Sequence, residues 1–226
     1  SVPRLVQHFD WHELPRYVHT FTDSDWAGDK QTRKSTTGGA MMLGKHLIKS
    51  WSTTQQVIAT SSGEAELYAL VKGAYQTKGF MSMLVDMGHV MDGKVCTDAS
   101  AAIGIVHRRG FGKVKHLDVQ YLWVQQEVND GRLGIEKVGT LVNPADLFTK
   151  ALCGDTIDRH LIALGFQKCT GRAKTAPTLG QLRDPRQGKE ETALNLCQER
   201  DQTTSSTTRP ERARALKPAS GRPIRW

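Results

Sequence analysis

The sequence predicts an α/β domain in which one mixed five-stranded sheet is flanked by helices. The first three predicted strands follow one another without an intervening helix, as in an antiparallel meander. The fourth and fifth strands are each reached after helices, which favours parallel pairing with the first strand. A strong helix-start signal separates the two groups of strands. These three observations together indicate a sheet with helices on both of its faces.

The predicted strands are short runs with β-branched, aromatic and other apolar residues. They span residues 17–23, 38–43, 47–51, 94–97 and 133–138, with a turn over 44–46. The first strand is the element around which the rest of the chain is organised. It ends in two acids, Asp23 and Asp25, which lie two residues apart and therefore on one face of the strand.

The long central helix begins at a capping box, with Ser61 as the N-cap and Glu64 three positions later. Apolar residues then recur at roughly helical spacing until about Gly88. Asn143, a good N-cap, begins a later helix, because the Pro that follows it suits the first helical turn. The other predicted helices span residues 99–107, 116–128 and 155–164.

Charge and composition divide the chain at about residue 166. Residues 1–166 carry 18 Lys and Arg against 17 Asp and Glu, whereas residues 167–226 carry 13 against 6. The C-terminal stretch has few apolar residues, many Pro, Ser, Thr and Arg, and no period, which is typical of disorder. We therefore expect a lead-in or linker over 1–15, one domain over 16–166, and a disordered basic tail over 167–226.

The overall charge of +8 is weak evidence that the body binds nucleic acid, because the excess lies in the tail. The four cysteines, at positions 96, 153, 169 and 197, have neither metal-type spacing nor disulfide density. This pattern indicates a reducing intracellular compartment, cytoplasmic or nuclear. No apolar run approaches the length of a membrane span and no signal peptide opens the chain, so no membrane partner is expected. The first residue is not Met, so we expect the chain to be a fragment of a longer protein.

Four acids lie at predicted strand ends or helix starts, and we expect them to converge on the first strand. They are Asp23, Glu66, Asp98 and Asp146. Carboxylates from four segments can hold two Mg²⁺ ions, because hard oxygen ligands suit Mg²⁺ and the ion keeps waters that can act as nucleophiles. Two such ions roughly 4 Å apart stabilise the attacking and leaving oxygens in phosphodiester cleavage.

Each acid also has an ordinary structural explanation. Asp25 shares a strand face with Asp23, so the pattern alone does not choose between them. Asp98 could cap the helix that follows it, and Asp146 could complement the dipole of the helix in which it lies.

Two glutamates compete for one role on the central helix. Glu64 and Glu66 lie about 200° apart around the helix axis, so they cannot both point at one site. Because Glu64 already has the capping role, Glu66 is left for the metal.

Six segments occur in order along the chain: TDSDWAGDKQTRKSTTGG, IKSWS, ATSSGEAELYAL, VCTDASAAI, VKHLDVQYLWVQQ and NPADLFTKAL. This ordered set, which covers about residues 17–152, resembles the ribonuclease H domain at the C-terminal end of copia-type retrotransposon polyproteins. Each segment alone is a modest match to this family, but the ordered set is highly specific for it. The resemblance implies a ribonuclease H-like fold with sheet order 3-2-1-4-5. It also implies cleavage of the RNA strand of an RNA–DNA hybrid, with a reverse transcriptase domain upstream.

The resemblance places the family's metal-binding and catalytic carboxylates on Asp23, Glu66, Asp98 and Asp146, and it favours Asp23 over Asp25. It implies that Asp23 bridges two Mg²⁺ ions, for which Mn²⁺ can substitute. Glu66 and Asp98 would complete one metal site and Asp146 the other. The products would carry a 3′-hydroxyl and a 5′-phosphate.

The chain departs from many ribonucleases H at two places. A histidine in the loop before the last helix is missing from residues 139–142, which leaves proton handling and product release without an assigned residue. The basic protrusion of some cellular enzymes is also missing. Its nearest substitute is a basic turn that would contact nucleic acid through Arg108, Arg109, Lys113, Lys115 and His116. A solvated turn followed by an ordinary helix histidine is the alternative.

Two other functions are compatible with the pattern. A catalytically silent remnant, or a hybrid-binding module, would keep the fold but lack turnover on its own. An integrase- or transposase-type core shares the fold class. Glu66 argues against that core, because it lies between the third and fourth strands, whereas that group typically places its glutamate on a late helix.

Overall fold

A five-stranded mixed sheet forms the centre of the protein in the computed structural model, which describes residues 4–108 and 119–171. Its strands are β2 (Tyr17–Asp25), β3 (Thr36–Leu43), β4 (His46–Thr54), β5 (Asp92–Thr97) and β6 (Gly134–Lys137). They lie in the order β4-β3-β2-β5-β6. The first three pair antiparallel, whereas β5 runs parallel to both β2 and β6. In the numbering of the predicted strands this order is 3-2-1-4-5, so the prediction is confirmed.

A second, two-stranded sheet corrects the expected boundaries. Strand β1 (Arg4–Gln7) pairs antiparallel with β7 (Phe166–Cys169). Part of the stretch expected to be a lead-in over 1–15 is therefore a strand, and the expected start of the tail at 167 falls inside another. Sequence patterns did not reveal this pair because each strand is four residues long and its partner is far away along the chain. Residues 172–226 of the expected tail lie outside the described residues.

The central helix α1 (Ser62–Asp86) begins as predicted. Ser61 is its N-cap, and the Ser61 hydroxyl accepts a hydrogen bond from the Glu64 amide at 3.2 Å. The Glu64 carboxylate, however, accepts from the amide and hydroxyl of Thr60 rather than closing the reciprocal capping-box bond. The helix ends beside Gly88, whose φ of +84° is the left-handed conformation that favours glycine.

Helices cover both faces of the sheet. Three helices, α1, α2 (Ser100–Val106) and α3 (Val119–Asn129), pack on the face that carries Val95. On the opposite face, Ala40 and Met42 pack with Leu164, which directly follows α4 (Gly154–Ala163). Because successive strand side chains alternate between faces, Met41 packs on the α1 side instead. Within residues 4–108 and 119–171, no helix has both the length and the apolar character needed to span a bilayer.

Two 3₁₀ helices follow β6, Thr140–Val142 and Pro144–Phe148, and the second stands where an α-helix was predicted. Asn143 caps this second helix as predicted, and the Asn143 side-chain oxygen accepts from the Ala145 amide at 3.2 Å. The same fully buried side chain donates to the Thr22 carbonyl of β2 at 3.0 Å, next to Asp23. Gly38, which lies opposite Asp23 on β3, leaves room for this helix, since a Cβ there would lie 2.9 Å from the Ala145 carbonyl. These contacts fix the 3₁₀ helix against the strand that carries Asp23.

Candidate active site

Three of the four predicted acids meet at the end of the sheet. Asp23 comes from β2, Glu66 from the first turns of α1, and Asp98 directly follows β5. Each offers a carboxylate oxygen, and these three oxygens all lie within 4.8 Å of one another. Three carboxylates at this separation repel one another unless a cation or protons neutralise them. Oxygen donors of this kind are the ligands that Mg²⁺ prefers.

Asp23 is the most enclosed of the three, with 1% of its surface exposed. The Thr149 hydroxyl donates a hydrogen bond to Asp23 Oδ2. The Lys150 ammonium lies 3.1 Å from Asp23 Oδ1. Both partners follow the 3₁₀ helix, so the packing of that helix against β2 orients the Asp23 carboxylate.

Glu66 has the surroundings that fit a cation best among the three acids. Its Oε1 accepts from the Ser24 amide at 3.3 Å, whereas its Oε2 is buried and has no hydrogen-bond partner among the described residues. Burial, followed by the negative charge of Asp23, raises the pKa of Glu66 from its ordinary value of 4.5 to about 8. A buried carboxylate oxygen without a donor is costly, and a divalent cation would satisfy it. The donors present therefore fit a hard metal ion.

Asp146 lies beside this group without belonging to it. Its Oδ1 is 3.3 Å from the Lys150 ammonium, which thus contacts both Asp146 and Asp23. Burial is the largest cause that raises the pKa of Asp146 to about 6, and the charge of Asp23 adds to it. The structure therefore brings all four predicted acids to one end of the sheet, but Lys150 stands between two of them.

The competing acids have other surroundings. The Asp25 carboxylate lies over Gly28, where an added Cβ would be 1.8 Å from Asp25 Oδ2. The Glu64 carboxylate accepts from Thr60 and from the Tyr68 hydroxyl, the latter at 2.7 Å. Neither acid belongs to the group of three.

Asp98 does not act as a helix cap. The N-cap of α2 is Ala99, whose amide donates to Thr97 Oγ1 at 3.2 Å, and Asp98 makes no capping hydrogen bond to this helix among the described residues. The capping alternative for Asp98 is therefore wrong.

Thr149 and Lys150 were not predicted from the sequence, because only carboxylates were considered as part of the metal site. Both residues belong to the segment NPADLFTKAL, which had already drawn attention through Asp146. The spacing of four residues between Asp146 and Lys150 was the available signal, since acid–base pairs at this spacing meet on a helix.

The predicted basic turn is described only at its first residue. Arg108 is exposed just after α2, and its amide donates to the Ile105 carbonyl. Arg109, Lys113, Lys115 and His116 lie outside the described residues, so the proposed contact of this turn with nucleic acid stays a prediction.

The raised pKa of Glu66 predicts how stability depends on pH without metal. Because the folded pKa of about 8 exceeds the ordinary value of 4.5, the folded chain binds more protons than the unfolded chain between these values. The contribution of Glu66 to the free energy of unfolding should therefore be largest at acidic pH and fall as pH rises from about 4.5 to about 8. Urea unfolding in EDTA at pH 5.5 and pH 8 should show Glu66→Gln more stable than wild type at pH 8, by roughly 1–3 kcal/mol.

Glu127→Gln is the control for this measurement. Hydrogen bonds from Arg132, the largest cause, and from Lys78 lower the pKa of Glu127, so its contribution has the opposite sign and is lost on acidification. A Glu66→Gln variant that is less stable than wild type at pH 8 in EDTA would contradict the uncompensated burial of the Glu66 carboxylate.

The sequence is similar to retrovirus-related Pol polyproteins of plant transposons. It is 32% identical over 149 residues to the polyprotein from transposon TNT 1-94 of Nicotiana tabacum, a match that covers 62% of this chain and 11% of that protein. It is 30% identical over 155 residues to the polyprotein from transposon RE1 of Arabidopsis thaliana, with 67% of this chain and 10% of that protein covered. The chain thus spans about a tenth of the length of these curated relatives. No protein-family model matches it.

Solved structures of ribonucleases H are similar in backbone. LC11-RNase H1, isolated from compost, has a TM-score of 0.43 and 18% identity, and the match covers 65% of this chain and 99% of that one. The foamy viral protease-reverse transcriptase in complex with RNA/DNA hybrid has a TM-score of 0.42 and 14% identity, with 70% and 22% covered. The fold is defined by the strand order β4-β3-β2-β5-β6 and by the parallel pairing of β2 with β5. The chain is a homologue of the retrovirus-related Pol polyproteins of plant transposons and has a ribonuclease H-like fold.

Proposed function

We propose that this chain is the Mg²⁺-dependent ribonuclease H domain of a copia-type retrotransposon Pol polyprotein. It cleaves the RNA strand of RNA–DNA hybrids endonucleolytically, leaving a 3′-hydroxyl and a 5′-phosphate. The observation that carries this proposal is the meeting of Asp23, Glu66 and Asp98, with oxygens within 4.8 Å of one another, on a sheet of ribonuclease H order. The buried Oε2 of Glu66, which has no hydrogen-bond partner among the described residues, supports a cation as its ligand.

The four acids divide the metal-binding roles. Glu66 and Asp98 would hold one Mg²⁺ ion together with Asp23, and Asp146 would hold a second with Asp23. Mn²⁺ offers the same preference for oxygen ligands and should substitute. When bound, the two ions supply an activated water and stabilise charge on the attacking and leaving oxygens.

The residues around the acids keep the site ready for these ions. The Thr149 hydroxyl and the Ser24 amide hold Asp23 and Glu66 in fixed orientations. The buried Asn143 ties the 3₁₀ helix of Asp146 to β2. A site that is organised before substrate binds needs less rearrangement during the reaction.

The proposed partners are an RNA–DNA hybrid and a reverse transcriptase domain upstream in the same polyprotein. The similarity to Pol polyproteins, of which the match covers about a tenth, supports a location within a larger chain. We propose an intracellular location, cytoplasmic or nuclear, where reverse transcription of such an element would take place.

A cleavage assay tests the proposal against its alternatives. The full chain is incubated with end-labelled RNA–DNA hybrid, duplex RNA or duplex DNA, in Mg²⁺, in Mn²⁺ and in EDTA. We expect metal-dependent cleavage of the RNA strand of the hybrid only, because selection of that strand requires contacts to 2′-hydroxyls. Binding of hybrid without any cleavage would favour the silent module. Equal cleavage of duplex DNA would favour the integrase-type core.

The basic turn should contribute to substrate binding but not to the chemistry. We expect a variant in which Arg108, Arg109, Lys113 and Lys115 are all replaced by Ala to bind hybrids more weakly than wild type, whatever the sequence of the hybrid. Its affinity should also depend less steeply on salt, because fewer counterions are released. Fluorescence anisotropy at several salt concentrations measures both effects. Loss of Mg²⁺ binding in this variant would contradict the assignment, since it would show that the turn supports the acids.

A further inference from the structure

Lys150 lies within the acid cluster that is formed by Asp23, Glu66, Asp98 and Asp146. Its ammonium lies 3.1 Å from Asp23 Oδ1 and 3.3 Å from Asp146 Oδ1, so one positive charge contacts two carboxylates. The side chains of Asp23 and Asp146 are 1% and 9% exposed, whereas that of Lys150 is 36% exposed. The ammonium thus reaches from the solvent side into a buried pair of acids.

The four acids form two halves that share Asp23: Asp23 with Glu66 and Asp98, and Asp23 with Asp146. The halves differ in how their negative charge is balanced. Among the described residues, no basic side chain forms an ion pair with Glu66 or Asp98, and Glu66 Oε2 lacks a hydrogen-bond donor. Between Asp23 and Asp146 the ammonium of Lys150 already supplies a positive charge. Asp23 belongs to both halves, and its Oδ1 is the atom that Lys150 contacts.

We propose that Lys150 is a positioning residue that acts as an internal counter-ion for Asp23 and Asp146 and competes with the second divalent cation. This inference rests on the proposed function, because it assumes that the acids bind metal. The first ion binds at Asp23, Glu66 and Asp98, where Glu66 and Asp98 have no basic partner among the described residues. The second ion binds to Asp23 and Asp146 only when the Lys150 ammonium withdraws, which its flexible four-carbon stem and partial exposure permit.

The competition has two measurable consequences. Without metal, Lys150 should stabilise the fold by neutralising two buried carboxylates. With metal, its charge should weaken the binding of the second ion, so that removal of the charge tightens it. A solvent-exposed lysine with only weak ion pairs would produce neither effect.

Lys150→Met tests both consequences, because Met keeps most of the stem and removes the charge. Lys78→Met is the matched control, since Lys78 lies 2.9 Å from the largely buried carboxylate of Glu127, in a different ion pair. Isothermal titration calorimetry with Mg²⁺ should show the second, weaker event about tenfold tighter in Lys150→Met, the effect expected from losing one charge-assisted contact. Lys78→Met should bind Mg²⁺ as wild type does.

Thermal melts supply a readout independent of activity. In EDTA, Lys150→Met should melt several degrees below wild type, and saturating Mg²⁺ should remove most of that difference. If Lys150→Met does not fold without metal, Lys150→Arg, which keeps the charge, should fold, and Mg²⁺ should restore the folded state of Lys150→Met.

The outcomes separate the two proposals. Equal affinity for the second ion in Lys150→Met and wild type would overturn the competition, as would an unfolded Lys150→Met that Mg²⁺ does not rescue. Absence of any Mg²⁺ binding in wild type and in every variant would instead overturn the proposed function.

Discussion

Replacing Asp23 by Asn should reduce cleavage of the RNA strand by about a thousandfold or more. Asp23 is buried, belongs to the group of three acids and is also contacted by Lys150. The amide is nearly isosteric but neutral, so it holds a divalent cation poorly and misplaces the charge that stabilises the transition state. Single-turnover rates with labelled RNA–DNA hybrid measure the loss. The affinity for hybrid in EDTA should stay close to that of wild type.

Asp25→Asn is the matched control for Asp23→Asn. Asp25 lies two residues further along β2, but its carboxylate covers Gly28 and does not belong to the group of three. We expect this variant to keep its cleavage rate within a few-fold of wild type. A larger loss in Asp25→Asn than in Asp23→Asn would contradict the choice between the two acids.

Replacing Gly73 by Val should destabilise the fold, because Gly73 packs closely against the sheet. A Cβ at Gly73 would lie 2.4 Å from Thr22 Cγ2 on β2 and 3.4 Å from Val95 Cγ1 on β5. The added side chain would force α1 away from the sheet, and overpacking of this kind costs about 1–3 kcal/mol or more. Because Glu66 lies about two turns earlier on the same helix, the displacement should also weaken Mg²⁺ binding. Urea unfolding and calorimetry measure the two effects.

Gly79→Val separates steric displacement from helix propensity. Gly79 lies on the same helix, and a Cβ there meets no atom within 4 Å. Val has a somewhat better helix propensity than Gly, so this variant should match wild type in stability to within about 0.5 kcal/mol or exceed it. Comparable losses at both positions would contradict the account of close packing at Gly73.

The parts of the fold that could be predicted depend on local signals. The Ser61 cap, the glycine after α1 and the capping by Asn143 are each decided within a few residues, and each is present in the structure. The sheet order came from the family resemblance and from the separation of the last two strands by helices. These features follow from short-range chemistry together with the order of elements.

The parts that could not be predicted depend on contacts between distant residues. The pairing of β1 with β7 joins the two ends of the described chain, and four-residue strands give too weak an alternation to predict it. Strand periodicity alone did not separate Asp23 from Asp25, because both lie on one face of the strand; the family resemblance favoured Asp23, and the structure places Asp23 in the group of three. Lys150 could not be assigned from its spacing to Asp146 alone, because its second contact, with Asp23, is 127 residues away.

Diffraction from crystals soaked in Mn²⁺ tests the central claim most directly, because anomalous scattering locates the ion without reference to activity. We predict a strong anomalous peak that is coordinated by oxygens of Asp23, Glu66 and Asp98 together. A second peak between Asp23 and Asp146, with the Lys150 ammonium displaced, should follow at higher Mn²⁺ concentration. The absence of any peak at these carboxylates at saturating Mn²⁺, or peaks only at other acids of the surface, would contradict the account.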